Sequence, residues 1–81
     1  MGILRVMSTS GDHTVTWDRK QAETGDPEAL EAIREVERIF EEQRSQGATA
    51  FQVKPGMPAK KLERFDPEAE QIVVVPRVAG G

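Results

Sequence analysis

The chain has no cysteine, no tyrosine, and only one histidine and one tryptophan among its 81 residues. Without cysteine there is no disulfide framework, no thiolate nucleophile and no cysteine-ligated zinc or iron–sulfur site. Such a composition is typical of a reducing compartment, so we expect a cytoplasmic location. The one histidine, His13, has no cysteine to pair with, and we favour a polar position in a hairpin over a catalytic role.

Long hydrophobic runs and an excess of positive charge are also missing. No apolar stretch approaches the roughly 20 residues that a membrane-spanning helix needs, and Met1–Val6 does not have the layout of a signal peptide. The formal net charge is -3, from 14 acidic and 11 basic residues, whereas contacts to phosphates need a basic face. The sequence therefore predicts no membrane and no nucleic-acid partner, and it favours protein partners.

The chain length predicts one small domain, because two separate cores would each be too small to fold without help. Residues 3–7 form a short apolar run, and residues 13–17 alternate and are rich in β-branched or aromatic side chains. The segment between them, residues 8–12, consists of residue types that favour turns. Together they predict a β-hairpin with a loop of about four or five residues.

A long amphipathic helix is predicted to follow a polar connection at residues 18–25. Asp26 is of a type that caps helices, and Pro27 suits the first helical position. Apolar residues then recur at helical spacing over about five turns, and Gly47 is placed to take the left-handed conformation after the last turn. The charged residues elsewhere on this helix are expected to form a solvated face of i,i+3 and i,i+4 pairs.

The second half of the chain predicts further strands. Residues 48–54 and 60–65 are predicted strands, separated by a loop that contains prolines. Residues 66–70 are predicted to form a polar turn. Residues 72–75 are apolar on both faces, which is typical of a strand at the centre of a sheet.

This order of elements predicts a two-layer α+β domain, in which four or five strands cover the apolar face of one helix. We place the domain at residues 1–76 and expect residues 77–81 to form a flexible tail, because Pro76 ends regular strand pairing. The predicted core residues are Leu4, Val6, Val15, Trp17, Leu30, Ile33, Val36, Phe40, Phe51, Val53, Leu62, Phe65, Ile72 and Val74.

Residues 66–81 carry the most specific signal. They place an acidic turn before the apolar strand, followed by Pro76, Arg77, a valine, an alanine and the pair Gly80-Gly81. This ending resembles that of the small sulfur-carrier subunit of molybdopterin synthase, which often has two prolines where this chain has proline and arginine. Arg77 is similar to the basic residues before the ubiquitin diglycine. The resemblance implies a β-grasp (ubiquitin-like) fold, with a four- to five-stranded mixed sheet packed on one helix.

The resemblance also implies a reaction at the C-terminus. In these families an activating enzyme uses ATP to adenylate the carboxylate of the last glycine, here Gly81, and the small protein itself binds no cofactor. Gly80 would let the tail enter a narrow channel, because it has no Cβ atom. The residues expected to be recognised by the activating enzyme are Arg77, Val78 and Ala79. The chain is thus expected to be a substrate of enzymes and not an enzyme.

Three functions remain open from the sequence. We place first a protein modifier that is joined to amino groups of target proteins in a prokaryotic pathway. Its partners would be an activating enzyme, a conjugating enzyme, a deconjugating protease and the targets. The second is a sulfur carrier in which Gly81 becomes a thiocarboxylate for cofactor biosynthesis or tRNA thiolation. The third is a β-grasp binding or inhibitor module whose glycines are incidental.

Two further groups of residues are candidates for contacts with partners. Ubiquitin-like domains commonly present the exposed face of the sheet, and the candidate partner surface here consists of Ile3, Phe51, Val73 and Val75. Whether these side chains share a face depends on the strand register, since a slip of one residue reverses it. The sequence selects none of the lysines on which copies of a modifier could be linked, which are Lys20, Lys54, Lys60 and Lys61. The loop acids lack the spacing of a calcium-binding loop, so no metal site is expected.

Overall fold

The computed structural model describes residues 1–7 and 11–77, which form a five-stranded sheet and two helices. In chain order the elements are β1 (Gly2–Val6), β2 (His13–Trp17), α1 (Arg19–Glu23), α2 (Pro27–Ser45), β3 (Thr49–Gln52), β4 (Lys60–Leu62) and β5 (Gln71–Val75). Neither helix in this described part of the chain is long and apolar enough to cross a membrane.

The sheet has the strand order β2-β1-β5-β3-β4, with β1 and β5 parallel and every other pair antiparallel. β5 can lie in the middle because its residues are apolar on both faces. Ile72 and Val74 are fully buried on one face, and Val73 between them is half-buried on the other. This is a β-grasp-like α+β arrangement. The predicted fold class is therefore confirmed, including the mixed sheet on one long helix and the central position of the last strand.

α2 begins and ends where the sequence predicts. The Asp26 carboxylate accepts a hydrogen bond from the backbone N–H of Glu28 at 3.3 Å, which satisfies one of the free donors of the first turn. Pro27 follows in that turn, where an N–H has no partner within the helix. At the other end Gly47 takes the left-handed conformation, with φ +94°.

One hydrophobic core lies between α2 and the sheet. The rings of Trp17 and Phe40 both meet Phe65 edge to face, at centroid distances of 5.3 Å and 5.9 Å. The Trp17 indole N–H also donates to the Pro67 carbonyl at 2.9 Å, which ties the turn before β5 to β2. The buried residues of this core are Leu4, Val6, Trp17, Val36, Phe40, Ala48, Ala50, Ala69, Ile72 and Val74.

Three residues of the predicted core lie outside it. Leu30 is 42% exposed while its neighbour Ala29 is 7% exposed, because consecutive helical residues point about 100° apart. Ala50 faces the core, so the next residue, Phe51, points to the opposite face of the sheet. Val53, two residues further along, is half-buried and is also not part of the core.

A short helix, α1, lies where the sequence predicts only a polar connection. The Asp18 carboxylate caps it by accepting a hydrogen bond from the Gln21 N–H at 3.1 Å. None of its residues is buried, so it has no apolar periodicity that would indicate a helix. β3 and β4 are shorter than predicted, with four and three residues.

The predicted turn after β1 and the predicted C-terminal tail fall partly outside the described residues, which leave out residues 8–10 and 78–81. The hairpin itself is confirmed by the antiparallel pairing of β1 with β2 along their whole lengths. The division into a domain of residues 1–76 and a tail of residues 77–81 stays a prediction.

Candidate functional site

The C-terminal end of β5 is the point from which the predicted tail starts. β5 ends at Val75, Pro76 is half-buried and Arg77 is exposed. The other predicted tail residues lie outside the described residues and are Val78, Ala79, Gly80 and Gly81. The described residues therefore end at Arg77, two residues after a strand that is paired on both sides.

Arg77, the first residue of the predicted tail, lies beside the C-terminal end of α2. Thr49 lies opposite Val75 in the antiparallel pair of β3 and β5. Gly47 comes two residues before Thr49 and Arg77 comes two residues after Val75, so Gly47 and Arg77 also face each other. A Cβ atom built on Gly47 would lie 3.1 Å from Cδ of Arg77 and 3.5 Å from its Cβ. The aliphatic part of Arg77 thus occupies the space that a side chain at position 47 would need.

The four residues of the candidate partner surface share one face of the sheet. Val73 lies between Arg5 of β1 and Phe51 of β3 in the register. Since alternate residues of a strand point to the same face, Ile3 and Val75 lie on that face too, opposite the core. We call Ile3, Phe51, Val73 and Val75 the outer patch. Its role in binding a partner stays a prediction.

Exposure and charge distinguish the outer patch from the core side of the sheet. Val75 is 36% exposed, and the other three residues are half-buried. Arg5 lies beside Val73, and Lys61 lies opposite Phe51 on β4. None of the five strands contains an aspartate or a glutamate. The strand charges around the outer patch are therefore positive, while Glu70, just before β5, places an acidic residue beside Ile3.

The solvent side of α2 carries ion pairs of its own. Arg38 contacts Glu35 at 2.6 Å and Glu42 at 2.9 Å, with i,i+3 and i,i+4 spacing. The hydrogen bond from Arg38 lowers the pKa of Glu35 from its ordinary value, and the same contact raises the pKa of Arg38. All three side chains are more than half exposed, so this face is a solvated one, as predicted.

The remaining candidate residues do not come together. The four lysines lie on α1, after β3 and on β4, and all are exposed, so accessibility does not favour any one of Lys20, Lys54, Lys60 and Lys61. His13 is exposed at the start of β2. Within the part of the chain that the structure describes, no three His, Cys, Asp or Glu side chains lie close enough together to hold a metal ion.

Two features near the tail have no counterpart in the sequence-based predictions. One is the contact of Arg77 with Gly47, and the other is the positive charge of Arg5 and Lys61 around the outer patch. For the contact of Arg77 with Gly47, the signal in the sequence is a glycine that follows the predicted helix and leads directly into the next predicted strand. The near absence of acidic residues from the predicted strands is a signal for the second.

No protein-family model, no curated protein and no solved structure matches this chain. The resemblance of its ending to the sulfur carriers and to ubiquitin therefore stays a prediction that depends on residues 66–81. The proposals that follow rest on this ending and on the described geometry around β5.

Proposed function

We propose that the chain is a ubiquitin-like protein modifier, whose Gly81 carboxylate is adenylated by an activating enzyme and joined to amino groups of target proteins. Adenylation links a carboxylate oxygen to the α-phosphate of ATP and releases pyrophosphate. A target amine then attacks the acyl carbon, and an isopeptide bond forms with release of AMP and of a proton from the amine. The chain supplies the acyl group, and the enzymes of a cytoplasmic, prokaryotic pathway supply the catalysis.

The observation that supports this proposal is that Arg77, where the predicted tail begins, comes two residues after the end of the central strand β5. β5 pairs with β1 on one side and with β3 on the other, so both of its edges are held by backbone hydrogen bonds. Four residues follow Arg77 in the sequence. Fully extended, they reach at most about 14 Å, a length suited to a narrow channel in an activating enzyme.

The outer patch supports the same proposal because it adjoins the tail base. Val75 belongs to the patch, and only Pro76 separates it from Arg77. A partner that binds the patch would therefore contact the chain next to the start of the tail. Apolar contacts with the patch, flanked by the positive charges of Arg5 and Lys61, would hold the protein while its tail reacts elsewhere.

A sulfur carrier is the second candidate, and the segment before the tail favours it. The Ala69 N–H donates to the Asp66 carbonyl at 3.1 Å in a turn, β5 follows and Pro76 comes after it. This order of turn, strand and proline resembles the sulfur carriers. Attack of hydrosulfide on the acyl carbon of the same adenylate would release AMP and a proton and leave Gly81 as a thiocarboxylate. A binding or inhibitor module, the third candidate, would need the outer patch and not the diglycine.

Mass spectrometry of the protein from its native cells, both intact and after trypsin, tests the proposal. Trypsin cuts after Arg77, so a conjugate should leave Val78-Ala79-Gly80-Gly81 on lysines of other proteins. A free chain with one carboxylate oxygen replaced by sulfur would instead establish the carrier. An unmodified carboxylate under every growth condition would contradict both. The intact mass also reports whether Gly81 carries the free carboxylate that the reaction needs.

Gly81→Ala is the variant to compare, and Gly56→Ala is its matched control. Gly81→Ala should abolish modification without lowering the melting temperature. Gly56 follows β3 with open space around it and a φ of +74°, so Gly56→Ala introduces some backbone strain but should leave modification unchanged. Full activity of Gly81→Ala would favour the binding module.

A further inference from the structure

Gly47 ends α2 in a Schellman motif. The Ala48 N–H donates to the Gln43 carbonyl at 3.0 Å, and the Gly47 N–H donates to the Arg44 carbonyl at 2.9 Å. Gly47 takes φ +94° to make these bonds, a conformation that costs little for glycine alone. The chain then turns directly into β3, so the helix end is fixed relative to the sheet.

The same glycine also leaves room for Arg77. In the register of β3 with β5, position 47 lies opposite position 77, and a Cβ atom at position 47 would lie 3.1 Å from the Arg77 Cδ and 3.8 Å from its Cγ. The first of these distances is tighter than ordinary van der Waals contact. A side chain at position 47 would therefore require the Arg77 side chain to move by a few tenths of an ångström away from the end of α2.

Two other glycines show that this contact is specific to position 47. Gly25 and Gly56 also have positive φ angles, of +84° and +74°, but a Cβ atom at either position would meet nothing within 4 Å. Their conformation alone explains why glycine suits them. Gly47 satisfies a second requirement, because it gives space to the residue that begins the tail.

We propose that Gly47 is a positioning residue for the C-terminal tail, and this inference rests on the proposed function at Gly81. The aliphatic part of Arg77 lies over the end of α2, where a positive charge is also favoured by the helix dipole. This contact places the side chain of Arg77, the last described residue, against the end of α2. A displaced Arg77 would present the Gly81 carboxylate to the activating enzyme from the wrong starting point.

The first experiment tests the contact without any partner enzyme. Nuclear Overhauser effects between the Gly47 Hα protons and the Arg77 Hδ protons are expected in the wild-type protein. They should persist in Gly25→Ala and Gly56→Ala, whereas Gly47→Ala should shift the Arg77 side-chain resonances. If the wild-type protein shows no such effect, the inference is wrong whatever the tail does.

The second experiment measures the product at Gly81. Each variant is expressed in the native cells, and the remnant on target lysines, or the thiocarboxylate, is quantified relative to the amount of folded protein. Gly47→Ala should lower the yield severalfold, because a shift of a few tenths of an ångström at Arg77 costs less than the roughly 100-fold that a 1 Å misplacement of a reacting group can cost. Gly25→Ala and Gly56→Ala carry the same kind of backbone strain and should stay near the wild-type yield.

A second pair of variants leaves the end of α2 unchanged. Arg77→Gln keeps the Cβ, Cγ and Cδ atoms. Arg77→Ala keeps only Cβ and removes Cγ and Cδ. Both lose the guanidinium group, so a higher yield for Arg77→Gln than for Arg77→Ala isolates the effect of the aliphatic contact. Because trypsin no longer cuts at position 77, the products are counted on a blot against an N-terminal tag and by intact mass.

The outcomes distinguish this inference from the proposed function. If the wild-type chain gives neither an isopeptide remnant nor a thiocarboxylate, the proposed function fails and the inference fails with it. If the wild type is modified and Gly47→Ala is modified as well as the two control glycine variants, the inference alone is wrong. A selective loss in Gly47→Ala, together with the difference between the two Arg77 variants, supports it.

Discussion

Gly2 is the residue at which the described fold leaves the least space. An added Cβ atom would overlap with atoms Cε2 and Cζ2 of Trp17, and this ring is only 1% exposed, so it has no room to move aside. We expect Gly2→Ala to lower the free energy of unfolding by about 1–3 kcal/mol, the usual cost of overpacking a core. Urea denaturation followed by circular dichroism measures this change.

The Trp17→Phe variant separates the overlap from other effects of Gly2→Ala. It removes part of the indole ring and the hydrogen bond to the Pro67 carbonyl, and the loss of that part-buried bond alone should cost about 0.5–1.5 kcal/mol. Gly2→Ala should then cost less in the Trp17→Phe background than in the wild type. Equal costs in the two backgrounds would contradict an overlap with the ring.

Glu35 gives the stability a small dependence on pH. The hydrogen bond from Arg38 lowers the pKa of Glu35, so the folded state binds this proton less readily than the unfolded state does. The pair therefore contributes stability at neutral pH and loses it as the pH falls through the folded-state pKa, below the ordinary glutamate value of about 4.3. Glu35→Gln should lower the melting temperature slightly at pH 7 and by less as the pH falls into the acidic range.

The matched control for this prediction is Glu31→Gln, because Glu31 joins no ion pair among the described residues. At pH 7 its effect on the melting temperature should be smaller than that of Glu35→Gln. High salt should shrink the effect of Glu35→Gln, since exposed ion pairs are screened. An effect that grows on acidification would show that the pair with Arg38 is not its cause.

The sequence predicts the positions of single residues well where side-chain chemistry decides them, and less well where the space available in the packed core decides them. Asp26 and Gly47 were identified because a cap needs an acceptor and a left-handed turn favours glycine. The sequence predicts Leu30 in the core, but the structure buries its neighbour Ala29 instead. Hydrophobicity favours the larger side chain, whereas the rotation of the helix places the smaller one inside. The overlap at Gly2 follows from its packing against Trp17, which no local pattern contains.

At the scale of elements, the first turn of α2 depends on one capping side chain. The Asp26 carboxylate accepts a hydrogen bond from the Glu28 N–H at 3.3 Å. Asp26→Ala should lower the free energy of unfolding by about 0.5–2 kcal/mol, the usual value of such a cap. Thermal unfolding followed by circular dichroism gives the difference. Asp12→Ala is the control, because Asp12 is exposed just before β2 and caps neither helix; an equal loss there would argue against the cap.

Elements with a continuous apolar pattern were predicted and those without one were missed. The stripe along α2 and the apolar run of β5 each reflect burial of many side chains in the core, so both elements were located within a few residues. α1 buries nothing, and only its cap and helix propensity indicate it. β4 was predicted too long, because Phe65 reaches the core from the loop after the strand and not from the strand itself.

For the whole molecule, the strand order predicts which amides are best protected. β5 has a partner on both sides, whereas β2 and β4 are edge strands and β4 has only three residues. Native-state hydrogen exchange by NMR should therefore be slowest for the amides of β5 and its neighbours β1 and β3, and fast for α1 and β4. Protection of β4 equal to that of β5 would contradict this order.

The overall class was predictable and the long-range contacts were not. The order of elements indicates one sheet on one helix, and the resemblance to the β-grasp fold implies that the sheet is mixed, whereas the parallel direction of β1 and β5 is seen only in the structure. The four residues of the outer patch share one face because of a register that the sequence alone cannot fix, and their role as a partner surface stays a prediction. The contact between Gly47 and Arg77 depends on that register too, and so only the structure reveals it.

The parallel pairing of β1 with β5 also decides how the molecule resists a mechanical load. The two strands run in the same direction, so a pull on the chain before β1 and another after β5 would act along the strands in opposite senses. The hydrogen bonds between them would then be strained together in shear, and none could open ahead of the others. Suppose that the protein is attached to a target through its tail and an unfolding enzyme pulls on its other end. The sheet would then unfold only when this whole row of hydrogen bonds breaks.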